Sequence, residues 1–343
     1  MVSWAQIGIF AILAVAALKI GSALVLPIVV ALLLSLLLSS PVAWLKRRRI
    51  PEVVGAGILV FGSALIFMAS LWFLAEPALE WMAKAPRSLA KAEQKLRTFS
   101  KPLQSIQETA AKMDDATSAT GNGDAQVVHL AAPGMMQRIS GGSVTFAANA
   151  IAVMFLCYFL LAAAPRFRRK LALVVPGRAE RGRVEEVMQE IELHMSRYLW
   201  LSTVINAIVG VLTWGLLAIL GYPNAALWGA VAAILNYIPY VGAILTIGVI
   251  GFAGMVSFPG MNQALAGAGA FFIINLFESN LITPMLLGRK LPLNAAALFL
   301  GLMFFGWLWG VTGAVLAVPL TVMVQVICAR IPATQPFAVF LDH

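Results

Sequence analysis

"YPNAALWGAVAAILNYIPYVGAIL" (222–245) is as long and apolar as a membrane span, yet its middle reads Asn236-Tyr237-Ile238-Pro239-Tyr240. A spanning helix needs about 20 apolar residues in an unbroken run. Pro239 has no N–H to give such a helix, and Gly242 loosens the backbone just beyond it. The segment therefore reads as two short helices that meet at a break. A second stretch, "LPLNAAALFLGLMFFGWLWGVTGAVL" (291–316), follows the same order. Both open with proline, asparagine and small residues, and both have an aromatic middle, Gly306-Trp307-Leu308-Trp309-Gly310 in the second. Both then resume with glycine and alanine, Gly242-Ala243 and Gly313-Ala314. Irregular backbone at membrane depth survives only where protein buries it or where it lines a wet cavity. Two broken units of this kind, with a charged helix between them, make a transporter arrangement.

Composition agrees with a membrane setting. Charged residues make up 11% of the 343-residue chain and hydrophobic residues 61%, against roughly a quarter charged in soluble domains. Apolar runs at 4–20, 22–45, 53–75, 147–164, 199–220 and 261–287 read as spans. The expectation is an all-α polytopic membrane protein of about six spanning helices plus two broken-helix or re-entrant hairpins, eight hydrophobic segments in all. A β-barrel predicts short alternating strands, and none are found. Full spans remain the alternative to hairpins at 222–254 and 291–329.

The net charge of +9 is placed like a topology signal rather than a nucleic-acid surface. Lys46-Arg47-Arg48-Arg49 and Arg166 to Lys170 each directly follow an apolar run, as the positive-inside rule expects. Both termini are then cytoplasmic. The expected organisation is membrane helices over 1–75, an extracytoplasmic amphipathic helical region with a linker over 76–142, and a fourth span over 143–164. A cytoplasmic basic loop with an amphipathic helix covers 165–198. A transport core follows over 199–329, with hairpins flanking helix 261–288, and a cytoplasmic tail covers 330–343. Hairpin geometry puts Arg289 and Lys290 inside, whereas single crossings leave them outside. The N-terminus lacks a basic region and reads as a retained helix rather than a cleaved signal.

The outer region carries a heptad pattern. Met82, Leu89, Leu96 and Leu103 recur every seven residues, with Phe99 and Ile106 on the offset position. Such a seam packs either on its own protomer or between subunits. Pro86 suits a helix start, and Pro102 is expected to kink or break the helix. "DDATSATGNGD" (114–124) reads as a linker.

Between Leu199 and Gly288 one charged residue stands, Glu278. An ionised carboxylate in hydrocarbon costs a few kcal/mol, and desolvation favours its protonated form. Two readings stand: a carboxyl that takes up and releases a coupling proton, and a neutral acid that hydrogen-bonds to a hairpin. Asn236, Tyr237, Pro239, Tyr240, Gly242, Asn275, Asn280, Pro284, Asn294, Trp307 and Trp309 are candidates for the solute or ion pathway, on polarity or position at a break. Asn206 and the other asparagines read individually as helix–helix hydrogen bonders. Cys157 and Cys328 lie in apolar runs with no disulfide or metal spacing, and His129, His194 and His343 fall in loops or surface segments. No catalytic site, metal or cofactor is expected.

"LNYIPYVG" (235–242), "ESNLITP" (278–284), "GWLWGVTGAVLAVPL" (306–320) and the early "PVAWLKRRRIP" (41–51) resemble the signature segments of the autoinducer-2 exporter family, bacterial inner-membrane proteins also described as permeases. The resemblance implies export of small solutes, autoinducer-2 among them, sodium or lithium/proton antiport in some members, and homo-oligomers, with a pentamer suspected. It implies a lipid bilayer, a small solute and H+ or Na+ as partners, and no nucleic acid. A non-transporting envelope scaffold is the reading from another class. The chain departs from the family pattern at Trp200-Leu201-Ser202, Ala243, Ala295 and Met285, which bears on substrate more than on fold.

Overall fold

The computed structural model describes residues 4–111, 135–174, 178–287 and 294–330. The expected linker at 114–124, His129, Arg289, Lys290 and the tail with His343 lie outside the described residues. All regular structure among the described residues is helical. In chain order it comprises α1 (Trp4–Ile20), α2 (Ser22–Arg47), α3 (Glu52–Ala111), α4 (Met135–Val174) and α5 (Arg178–Ile219). Then come α6 (Ala225–Leu235), α7 (Val241–Ser257), α8 (Met261–Phe277), a π-helical turn (Glu278–Ile282), α9 (Thr283–Leu287) and α10 (Ala295–Arg330).

Six described helical segments are long and apolar enough to cross a membrane: Ser22–Arg47, Glu52–Trp81, Phe146–Ala164, Glu185–Ile219, Met261–Leu286 and Ala295–Ala329. The set differs from the expected one at both ends. α1 has only 17 residues, about 25 Å of helix against about 30 Å of hydrocarbon. The last segment qualifies by length but is broken inside. Large apolar side chains face outward along these helices, Trp72 and Ile20 each 86% exposed. With water outside, those surfaces would carry a large free-energy cost; against lipid they carry none.

α3 corrects one expectation. Its 60 residues pass Pro86 and Pro102 as one helix, so Pro86 lies inside the helix rather than at a start and the helix does not end at Pro102. A proline removes one ladder bond and costs about 3 kcal/mol, but ending the helix there would also require a fresh nucleus on the far side. The third span and the outer helix are thus one element. The seam residues Met82, Leu89, Leu96, Phe99, Leu103 and Ile106 fall along it, while their side-chain surroundings lie outside the described residues.

Both broken units break where their sequences are irregular. In the first, α6 ends at Leu235 and α7 starts at Val241, with Tyr240 held at φ 59°. In the second, Trp309 and Gly310 leave helical geometry, Gly310 at φ 63° and ψ −141°, a region that glycine alone enters cheaply. Just past each break the chain folds back on itself. A Cβ on Gly242 would collide with the Leu235 carbonyl, and one on Gly313 with the Phe305 carbonyl. Each glycine lets one limb lie directly on the backbone of the other, so the two units share a tip geometry as well as a residue order.

Three buried clusters tie the helices together. The largest joins α5 to α8, with Val209, Leu217, Tyr222, Trp228, Ile250 and Phe271, and Trp81 of α3 packs against it. Trp81 and Trp228 meet edge to face at 4.9 Å between centroids. A second cluster links α2, α3 and α4 through Ala31, Val42, Ala56, Val60 and Cys157. The third joins α5 to both limbs of α10 through Met195, Leu298, Val318 and Val322.

Tyr222 fixes α8 relative to the α5–α6 turn. Its hydroxyl donates to the Ala264 carbonyl at 2.8 Å and accepts from the Gly267 N–H at 3.0 Å, while its ring packs on Phe258. Tyr222→Phe keeps the ring and strands those backbone groups. Thermal unfolding in detergent is expected to show a loss of about 1–3 kcal/mol.

Candidate functional site

The first break opens into a cavity of about 630 Å³. α5 supplies Tyr198, Ser202, Ile205 and Asn206 to its wall, and the break supplies Asn236 to Tyr240. α8 and the π-turn supply Phe272, Asn275, Glu278 and Ser279, followed by Thr283. Leu298 and Val318, one from each limb of α10, close it. Both broken units therefore contribute to one chamber, and Glu278 is the only charged side chain on its wall among the described residues.

The π-turn positions the acid. Thr283 N–H donates to the Glu278 carbonyl, a five-residue step, and Thr283 Oγ1 donates to Glu278 Oε1. In a regular α-helix residue i+5 points about 140° away from residue i; the widened turn brings the two onto one face. Pro284, next in sequence, has no N–H to give a carbonyl one turn back, so the ladder is already interrupted at that point. Ser279 Oγ donates to the Asn275 carbonyl and Asn280 Nδ2 to the Leu276 carbonyl at 2.8 Å. Side chains thereby serve carbonyls at the junction of two helical registers. Turns of this type recur at functional sites.

Opposite the acid, α5 holds the break by side-chain hydrogen bonds. Asn236 Nδ2 donates to Asn206 Oδ1 at 2.9 Å, and Tyr237 Oη donates to Thr203 Oγ1 at 3.0 Å. Tyr198 and Ser202 are hydrogen-bonded to each other beside them. The wall thus carries hydroxyls, amides, one carboxyl and aromatic faces, a set that suits a small polar solute.

The candidate residues separate by position. Asn236, Tyr237, Pro239, Tyr240, Asn275 and Glu278 border the cavity. Gly242 packs the fold-back beneath it. Asn280 and Pro284 belong to the helix that carries Glu278 but are not on the wall. Asn294 caps α10, its Oδ1 accepting from the Ala297 N–H at 2.6 Å. Trp307 and Trp309 lie elsewhere: Lys19 Nζ stands 3.7 Å from the centroid of the Trp307 ring, and Trp309 Nε1 donates to the Leu18 carbonyl at 3.1 Å. The second tip is tied to the end of α1. Tyr198, Ser202, Phe272 and Thr283 border the cavity without having been candidates. For Thr283 the missing signal is the π-turn. For Tyr198 and Ser202, polar spacing on α5 was the available hint.

Known proteins resemble this chain along nearly its full length. The AI-2 transport protein TqsA of Escherichia coli (strain K12) is 29% identical over 333 residues, covering 94% of this chain and 91% of that protein. A putative transport protein of Haemophilus influenzae is 25% identical, covering 98% of this chain and 95% of that protein. The putative transport protein YhhT of Escherichia coli (strain K12) is 24% identical, covering 87% and 82%. The model of the AI-2E family of transporters matches residues 8–333, the span that holds both broken units and the cavity, and the chain belongs to that family.

Proposed function

We propose that this protein carries a small polar solute across the bacterial inner membrane through the chamber between its two broken units, with Glu278 as the proton-carrying group. The observation that carries this reading is the placement of a single carboxyl on the wall of an otherwise uncharged, largely apolar cavity that also carries hydroxyls and amides. Autoinducer-2 is the first solute to test, because TqsA is named for its transport. The Thr283 hydroxyl is positioned to stabilise the carboxyl in either protonation state, by donating to the ionised form or accepting from the acid. Ser202 and Ala243, two of the positions that depart from the family pattern, border the cavity. They are the first places to look for a solute preference of this chain's own.

Proteoliposomes test this directly. The wild type is expected to move autoinducer-2 with a rate that follows the pH gradient. Glu278→Gln keeps volume and hydrogen bonding but cannot titrate, so it should assemble normally while net flux falls sharply and its pH dependence disappears. A fully active, still pH-dependent Gln variant ends the proton-carrier role. Sodium-driven pH change without solute movement would replace this reading with a sodium/proton antiporter. Inactivity in both assays, with a partner recovered by crosslinking, would favour an envelope scaffold.

The proposed topology places both termini, Arg289 and Arg330 in the cytoplasm. Arg289→Cys in a background lacking Cys157 and Cys328 should resist membrane-impermeant maleimide in intact cells and react after permeabilisation. Labelling from the periplasm would replace the hairpins with simple spans.

A homo-oligomer held partly by the outer part of α3 completes the proposal. Leu96→Asp and Phe99→Asp should lower the oligomer mass in mild detergent while membrane insertion persists. An unchanged mass would assign the seam to packing within one protomer.

A further inference from the structure

Asn206 is 5% exposed, and it stands on the cavity wall. Its Oδ1 accepts from Asn236, but its Nδ2 is buried without a hydrogen-bond partner. Among the described residues it is the only buried side-chain nitrogen or oxygen left in that condition. A buried donor without an acceptor is costly, and surrounding side chains normally supply one. Here the neighbouring hydroxyls do not: Thr203 Oγ1 accepts from Tyr237 and donates to the Leu199 carbonyl at 2.8 Å, and Ser202 is engaged with Tyr198.

We propose that Asn206 is a solute-binding residue whose amide N–H donates to an acceptor oxygen of an uncharged, oxygen-bearing solute in this cavity. The charge pattern selects that class. An anion would face the Glu278 carboxyl, and no lysine or arginine borders the cavity among the described residues to compensate. A bare cation wants several oxygen ligands and gains nothing from an N–H donor. A neutral solute with carbonyl, ether or hydroxyl oxygens accepts from Asn206 and donates to Glu278, while the tyrosine rings and Phe272 cover its apolar faces. Asn236 is then a positioning residue: by occupying Asn206 Oδ1 it turns the amide so that its donor is the free end. This inference rests on the reading of the cavity as the solute pathway.

Asn206→Leu removes the free donor at similar volume without adding a charge, and Asn236, which loses its partner, is only half-buried. Equilibrium binding of labelled autoinducer-2 to purified protein, and its counterflow in proteoliposomes, are the readouts, both at pH 8. The expected result is half-saturation raised by on the order of 10-fold or more, with oligomer mass and thermal unfolding close to the wild type. Unchanged half-saturation overturns the inference and leaves the transport reading standing. As a second measurement on unaltered protein, analogues of the solute lacking one oxygen at a time should include one that binds about 10-fold more weakly or worse. If every analogue binds within about twofold of the parent, no donor is being used and the inference fails even if the variant does not assemble. Wild-type protein that neither binds nor moves autoinducer-2 overturns the pathway reading, and this inference with it.

Discussion

Backbone N–H and carbonyl groups have no water to turn to in hydrocarbon, and the fold is organised around the places where helical pairing stops. At the first break, short-range bonds such as Ile238 N–H to the Leu235 carbonyl at 2.9 Å and Gly242 N–H to the Ile238 carbonyl at 2.9 Å carry the chain round the tip. The fold-back then presses one limb against the other across Gly242. Side chains of α5 hold the side chains of Asn236 and Tyr237 at the tip. A break secured in this way places polar groups deep among apolar helices, and the cavity is the space they enclose.

The acid depends on the same constraint in a subtler form. Between α8 and α9 the helix continues but changes register, and the five-residue step from Glu278 to Thr283 gives the carboxyl a hydroxyl partner within its own helix. A lone carboxyl among apolar neighbours needs such a partner more than it needs an ion pair, since a fixed positive charge would oppose protonation. A hydroxyl, able to donate or accept, tolerates both states.

The sequence disclosed the breaks because their chemistry is local. Pro239, Gly242, Gly310 and Gly313 each change what the backbone can do within a few residues, and the departures from helix fall among them. What it concealed was set by register or by distance along the chain. The π-turn has no proline or glycine inside Glu278–Ile282, and spacing in steps of three and four does not pair Glu278 with Thr283. The pairing of Asn206 with Asn236 spans 30 residues and that of Trp309 with Leu18 spans 291; both are products of packing, and no periodicity announces them. Pro86 misled in the opposite direction, because its preference for a helix start was outweighed by the continuity of a long helix.

The two broken units share a pattern but not a role. The first tip lies on the cavity through Asn236 to Tyr240. The second turns its aromatic residues away, toward Lys19 and the Leu18 carbonyl, and among the described residues offers the cavity only Leu298 and Val318 from its limbs. A repeated backbone design thus yields one limb pair whose tip borders the cavity and one whose tip is tied to α1. The difference follows from the side chains at each tip. The amide of Asn236 and the phenol of Tyr237 have partners on α5, whereas the Trp309 indole, with its single donor, meets the Leu18 carbonyl near the end of α1. The same helix end supplies Lys19 for the Trp307 ring face. The α1 helix therefore has a definite place in the fold: it holds the second broken unit by its tip, and any motion of that unit relative to the cavity must either carry α1 along or break both contacts.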